Sequence, residues 1–126
     1  MTTVQEKPLT KSDLAQFTGT EQWYRHGLAR NVLYTDGVQY LAEKAGAYWL
    51  IDEIALLQLK PKVGRQAFQV WKLKVKNSKA VLSCEDGNGN KVYAKRITFT
   101  DFPLPEIELW GEHDGQHRVI LLPSEH

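Results

Sequence analysis

The hydrophobic rhythm of the chain changes once, near Gly64. Before it, apolar residues recur every three or four positions, as on one face of a helix; after it they recur every two, as on one face of a strand. Thr10 or Ser12 is placed to cap a short helix through Phe17, with Asp13 in its first turn and Gly19 beyond its end. Thr35-Asp36-Gly37 reads as a second helix start, with Asp36 accepting from the first free backbone N–H groups. Val38, Leu41, Ala42 and Ala45 then keep helical spacing up to Gly46, a left-handed stop. A third helix runs from Ala47 to Leu59, apolar almost all round (Trp49, Leu50, Ile51, Ile54, Ala55, Leu56, Leu57), and Lys60-Pro61 ends it. Glu21 to His26 is a short strand or a structured loop.

Past Gly64, Ala67 to Val75 alternates, with Trp71, Leu73 and Val75 on one side and Lys72, Lys74 and Lys76 on the other. Asn77-Ser78 is a tight turn, and Ala80–Glu85 and Lys91–Thr100 are strands joined by the hairpin loop Asp86-Gly87-Asn88-Gly89-Asn90. Pro103 and Pro105 break the chain before a last hairpin, Ile107–Gly111 and Arg118–Leu122. This order predicts an α+β fold: N-terminal helices packed on one face of an antiparallel β-meander of about five strands. It divides 126 residues into a loose arm (1–10), a helical half (11–59) and a sheet (66–122) within one domain.

Composition changes this picture little. With 42% hydrophobic and 25% charged residues, the chain resembles an ordinary globular protein and needs no staple. Cys84 is the one cysteine, so an internal disulfide and a thiolate zinc site are excluded. No apolar N-terminal core of a signal peptide is present, and Ala45–Ile51 is too short to span a bilayer, so the expected compartment is the cytoplasm, away from membranes. Charge matters more. The net +1 conceals a balance of −2 over residues 1–59, +7 over 60–79 and −4 over 80–126.

Two stretches concentrate candidate chemistry. TGTEQWYRHGLARNVLYTD, residues 18–36, brings Glu21, Trp23, Tyr24, Arg25, His26, Tyr34 and Asp36 together, offering ring surface and fixed polar groups to a ligand. His26 can serve as a general base if Asp36 or Asp52 orients it, and Asp52 shares a helix face with Tyr48 and Trp49, where neighbouring rings favour the protonated acid. The plainer reading makes Asp36 a cap, His26 a turn residue, and Asp52 with Glu53 a solvated strip. The second stretch is the lysine stripe. Lys72, Lys74 and Lys76 recur about every 7 Å along one strand face, a spacing suited to a phosphate backbone, and Tyr93 and Lys95 are expected to extend the stripe onto a neighbouring strand. Lysines that keep a strand edge from pairing are the plainer account. His113 and His117 flank a turn, Cys84 reads as a core residue, and no metal, cofactor or nucleotide motif occurs.

FTGTEQWYRH (17–26) and LYTDGVQYLAEKAGAYWLIDEIA (33–55) resemble a bacterial family catalogued as a domain of unknown function, with small members in cyanobacteria, other bacteria, plasmids and phages. The resemblance covers about Phe17 to Gln58 and rests on Gly19, Thr20, Glu21, Tyr24, His26, Tyr34, Thr35, Asp36, Gly37, Tyr40, Leu41, Trp49 and Asp52. It implies no activity, and the basic strand lies outside it. Two functions stand as expectations. The preferred one is a non-enzymatic binding or accessory protein of a mobile element, meeting a protein or nucleic acid through its basic strand or aromatic loop. The other is a small enzyme with an acid/base site of His26, Asp36 and Asp52 beneath Trp23 and Tyr24.

Overall fold

The computed structural model describes residues 9–126, so the expected arm falls, through residue 8, outside the described residues. The elements follow in the order α1 (Lys11–Ala15), β1 (Trp23–Arg25), β2 (Val32–Thr35), α2 (Asp36–Ala45), α3 (Tyr48–Leu57), α4 (Pro61–Gly64), β3 (Phe68–Lys76), β4 (Lys79–Glu85), β5 (Lys91–Ile97), β6 (Glu106–His113), β7 (Arg118–Leu121) and a terminal 3₁₀ turn, Pro123–Glu125. The local signals hold. Thr10 and Asp13 cap α1 reciprocally, and Gly46 ends α2 at φ 61°. Asn77 (φ 55°) and Ser78 (φ 62°) are both left-handed, the geometry of a two-residue hairpin turn between β3 and β4.

The sheet is larger than the meander expected. It has seven strands in the order β1-β2-β7-β6-β3-β4-β5, with β2 parallel to β7 and every other pair antiparallel. Two causes separate it from the expectation. Of the two readings left open for Glu21–His26 the strand is the observed one, β1, and β2 follows it unannounced, so strands also precede the main helices. The chain between β5 and β6 then crosses back over the β3–β4 hairpin instead of continuing the meander. Buried Phe102 and Leu104 hold that crossing down, while Thr100 N–H donates to the Ser78 carbonyl (2.8 Å) and Val75 N–H to the Pro105 carbonyl (2.8 Å). Proline also opens a helical turn where it was expected only to end one, since Pro61 at the first position of α4 loses no bond there.

The core lies on the sheet face toward α3. Leu50, Ile51, Ile54 and Ala55 of α3 and Val38, Leu41 and Ala42 of α2 are buried with Val32, Trp71, Leu73, Leu82, Cys84, Leu109 and Ile120. Burial pushes the Cys84 thiol up to about 12, so it behaves as a small hydrophobe.

One polar cluster interrupts this apolar layer. Arg118 is 2% exposed and Gln69 is fully buried. Arg118 donates to the carbonyls of Gln66 (2.6 Å), Ala67 (3.1 Å), Gly64 (3.2 Å) and Gly111 (3.3 Å), and to Gln58 Oε1 (3.1 Å). Gln58 and Gln69 exchange reciprocal amide bonds of 2.9 Å, and Gln69 also accepts from the Trp71 indole (2.9 Å) and donates to the Val63 carbonyl (2.7 Å). Gly64 is required where the chain folds back, because a Cβ there would collide with the Gln58 carbonyl. Replacing Arg118 by Met leaves four buried or part-buried backbone carbonyls without the guanidinium as donor. The expected loss is about 3 kcal/mol of unfolding free energy in a urea titration, against under about 1 kcal/mol for Lys11→Gln, which breaks only the exposed 3.2 Å pair with Glu106.

Candidate functional site

The residues of the aromatic stretch divide between two faces. In the β1–β2 register Tyr24 lies opposite Tyr34 and Trp23 opposite Thr35. Successive strand residues point to opposite sides, so Trp23 and Tyr24 do not together roof a site as expected. Tyr24 and Tyr34 stack at 5.5 Å on the inner face, while Trp23 is 56% exposed on the outer face with Arg25, whose Nη1 donates to the Arg30 carbonyl (3.1 Å). Trp49 is half-buried against the core, and Glu21 is exposed.

Asp36 is not the cap of α2. Thr35 takes that role, accepting from Val38 N–H at 3.4 Å, and the Glu125 carboxylate accepts from Thr35 Oγ1 (2.6 Å), Gly37 N–H (3.0 Å) and Leu122 N–H (2.9 Å). Asp36 turns instead toward the segment before β1. It accepts from Glu21 N–H (2.9 Å), Gln22 N–H (3.4 Å) and Tyr24 hydroxyl (3.2 Å), while its own N–H donates to Thr20 Oγ1 (2.9 Å). The Glu21 N–H chiefly holds its carboxyl below the usual 3.8; partial burial opposes this, and Tyr24, Gln22 and Thr20 reinforce it. Burial, then Asp36, raises the Tyr24 hydroxyl.

His26 and Asp52 do meet, with Nε2 2.7 Å from Oδ1. The ring is 7% exposed and the carboxylate 61% exposed. The other ring nitrogen settles the tautomer: Nδ1 faces the backbone N–H groups of Ala29 (2.9 Å) and Leu28 (3.2 Å), so it accepts, and Nε2 carries the hydrogen donated to Asp52. Both nitrogens are thus occupied, and no lone pair faces a substrate proton. The pair pins the Gly27–Asn31 turn to α3, while Asp36 pins the approach to β1; the structure brings together His26 and Asp52, with Asp36 bound in a separate set of contacts. Asp52 remains solvated as the plainer reading held, and Glu53 beside it receives Lys95 Nζ at 2.6 Å.

That last bond corrects the basic stripe. Across the sheet Lys72 lies opposite Ser83, and Ser83 opposite Ala94; Trp71 lies opposite Cys84, and Cys84 opposite Tyr93. Tyr93 and Lys95 therefore belong to the core side, with α3, and do not extend the lysines. Lys72 is also neutralised, 3.2 Å from Glu85. What continues the outer face is Lys79, counted in the +7 of residues 60–79 but not placed on the stripe, and Arg96, which that stretch does not contain. Lys74, Val81 and Arg96 form one cross-strand row, and Lys76 and Lys79 the next. These four cations are exposed and, among the described residues, form no ion pair. With Val81 (43% exposed) and Thr98 they line a depression of about 680 Å³. The register supplies the signal for Arg96, since a hairpin that places Lys76 opposite Lys79 brings Val81, and with it Arg96, onto the lysine side. The neighbouring strand on the other flank bears Glu106, Glu108 and Glu112 on this same face, so the positive field is confined to the β3–β4–β5 corner.

Among the described residues, no group of three or more His, Cys, Asp or Glu side chains is placed to hold a metal ion, and no helix is long and apolar enough to cross a membrane. The molecule is an α+β protein on a mixed sheet, one face covered by a helix and the other bearing a cationic corner. A family model matches residues 8–126, and the chain belongs to that family, DUF6876, a family of unknown function. The match takes in the whole sheet, including the basic strand that the N-terminal motif left out. No curated protein matches the chain. A solved structure, described as the protein of unknown function from Enterococcus faecalis, is similar at a TM-score of 0.56 and 20% identity, over 83% of this chain and 98% of that one. That likeness is one of fold.

Two outcomes are expected from this geometry. Nitrogen-15 NMR of the His26 ring should show a hydrogen on Nε2 and an accepting Nδ1; the opposite tautomer would contradict the assignment. Because the folded Asp36 carboxyl titrates below its usual 3.8, it contributes stability above that pH and loses it as pH falls through the lowered value. The stability gap between the protein and Asp36→Asn should therefore be widest above about pH 4 and close below it, as read by thermal melts across pH 2–6.

Proposed function

We propose that this protein is a non-enzymatic nucleic-acid-binding protein whose ligand backbone lies on the cationic corner of the outer sheet face. The observation that carries this reading is the set Lys74, Lys76, Lys79 and Arg96: four cations on one open face with no carboxylate partner among the described residues. Unpaired cations on a strand repeat of about 7 Å, with a cross-strand neighbour about 5 Å away, offer successive phosphates a graded set of contacts. Keeping a strand edge from aggregating explains Lys74, Lys76 and Lys79 poorly, because β3 and β4 are interior strands with both edges paired; Arg96 alone of the four lies on an edge strand, β5. A bacterial or mobile-element setting and a cytoplasmic site of action suit this role. The acid/base alternative draws support from the His26–Asp52 contact alone, and there both imidazole nitrogens are engaged.

The test is fluorescence anisotropy with a labelled 12-nucleotide strand across a salt series. Four phosphate contacts should give a log–log slope of about −3, so that affinity falls about fifty-fold between 50 and 200 mM salt. The combined variant Lys74→Gln, Lys76→Gln, Lys79→Gln, Arg96→Gln should flatten that slope and remove most of the affinity. Undiminished binding by this variant, or no binding by the wild-type protein at low salt, would sink the proposal.

A further inference from the structure

Next to the cationic corner lies a second cavity, a cleft of about 520 Å³. Its strand side is made by Lys72, Lys74, Glu106 and Glu108, and its walls by Leu14 and Ala15 of α1 and by Leu122, Pro123 and Ser124 of the C-terminal segment. Lys74 lines both cavities, so the cleft opens beside the row of cations without a break. We infer that the nucleic acid held at the corner is single-stranded, and that one of its bases seats in this cleft. The inference rests on the proposed binding role and specifies its ligand.

The two cavities differ in the chemistry they offer. The corner carries cations around a small apolar centre, which suits phosphates. In the cleft the cations are mostly engaged: Lys11 contacts Glu106 (3.2 Å) and Lys72 contacts Glu85 (3.2 Å). Glu108 has no cation partner among the described residues; its Oε2 accepts from the Trp110 indole at 2.8 Å, which fixes the carboxylate and leaves Oε1 to accept another donor. A phosphate is repelled by such a group, whereas the exocyclic amino group of a base donates to it. The apolar walls complete the complement by taking the flat face of a ring. A base enters such a cleft only when it is unstacked. A single strand offers bases in that state, and a duplex must first be opened.

Binding is measured by anisotropy with labelled 12-nucleotide oligo-dC and oligo-dT strands and with a 12-base-pair duplex. The single strands should bind about tenfold more tightly than the duplex, and oligo-dC, which carries an amino donor, about threefold more tightly than oligo-dT. Ala15→Trp fills the cleft from one wall, and Ser124→Trp from the other; both positions are exposed, and circular dichroism checks that each variant folds. Either variant should lower single-strand affinity to the duplex level and leave duplex binding unchanged. Equal affinity of the wild-type protein for strand and duplex would overturn the inference, as would undiminished strand binding by folded Ala15→Trp and Ser124→Trp. Equal affinity for oligo-dC and oligo-dT would overturn the part given to Glu108. If strand and duplex bind equally and both are lost in the four-cation variant, the binding role stands and only the single-strand inference falls; if neither binds, both fall.

Discussion

A buried guanidinium with no carboxylate partner among the described residues organises this fold. Arg118 is solvated by the chain itself, through carbonyls from the α4–β3 connection and from β6. Burial pulls its pKa down from the ordinary arginine value, yet the group remains a cation because five donor contacts replace water. The orphan carbonyls that follow α4 and the charge that heads β7 therefore satisfy each other, and neither tolerates the loss of its partner. Gln58 and Gln69 extend the bargain to the end of α3 and to β3. Of the three strands that bear the cationic corner, β3 is the one this network reaches, through Gln69 and Trp71.

Much of this was legible along the chain, and the parts that were not share a cause. Helices α2 and α3 and the hairpins of β3–β4 and β4–β5 are set by periodicity, caps and turns, all read within about ten residues. Strand β2 has four residues, and its partner in a parallel pair lies far away in sequence, so no local pattern announces it. Arg118 likewise looked like an unremarkable charge at the head of a strand. Its burial depends on carbonyls supplied by the α4 turn and by Gly111. Gln69 was the one available hint, a polar residue on the same alternation as Trp71, Leu73 and Val75.

The candidate site shows the same limit in a sharper form. Charge alone grouped Lys95 with Lys72, Lys74 and Lys76, but the face of a strand residue is decided by its register with the neighbouring strand. Tyr93 and Ile97 follow the hydrophobic side of β5 inward, and Lys95 between them goes the same way, reaching solvent at the sheet edge to meet Glu53. Arg96 takes the outer place. For His26 the chain offered two readings, a general base oriented by a carboxylate or a turn residue, and its contacts are those of the second: two backbone N–H groups donate to Nδ1 while Nε2 faces Asp52. Asp36 and the late residue Glu125 each act at the start of α2, the first holding the segment before β1 and the second the segment after β7.

The placement of β7 has a bearing on how the molecule assembles. Although late in the chain, it sits between β2 and β6, and Thr35 meets Glu125 across 90 positions of sequence. Until β7 arrives, β1 and β2 have no route into the sheet, and the four strands β6, β3, β4 and β5 present an unfinished edge. Joining β1 and β2 to the rest of the sheet is thus a non-local step, a kind of pairing that is slow by its topology.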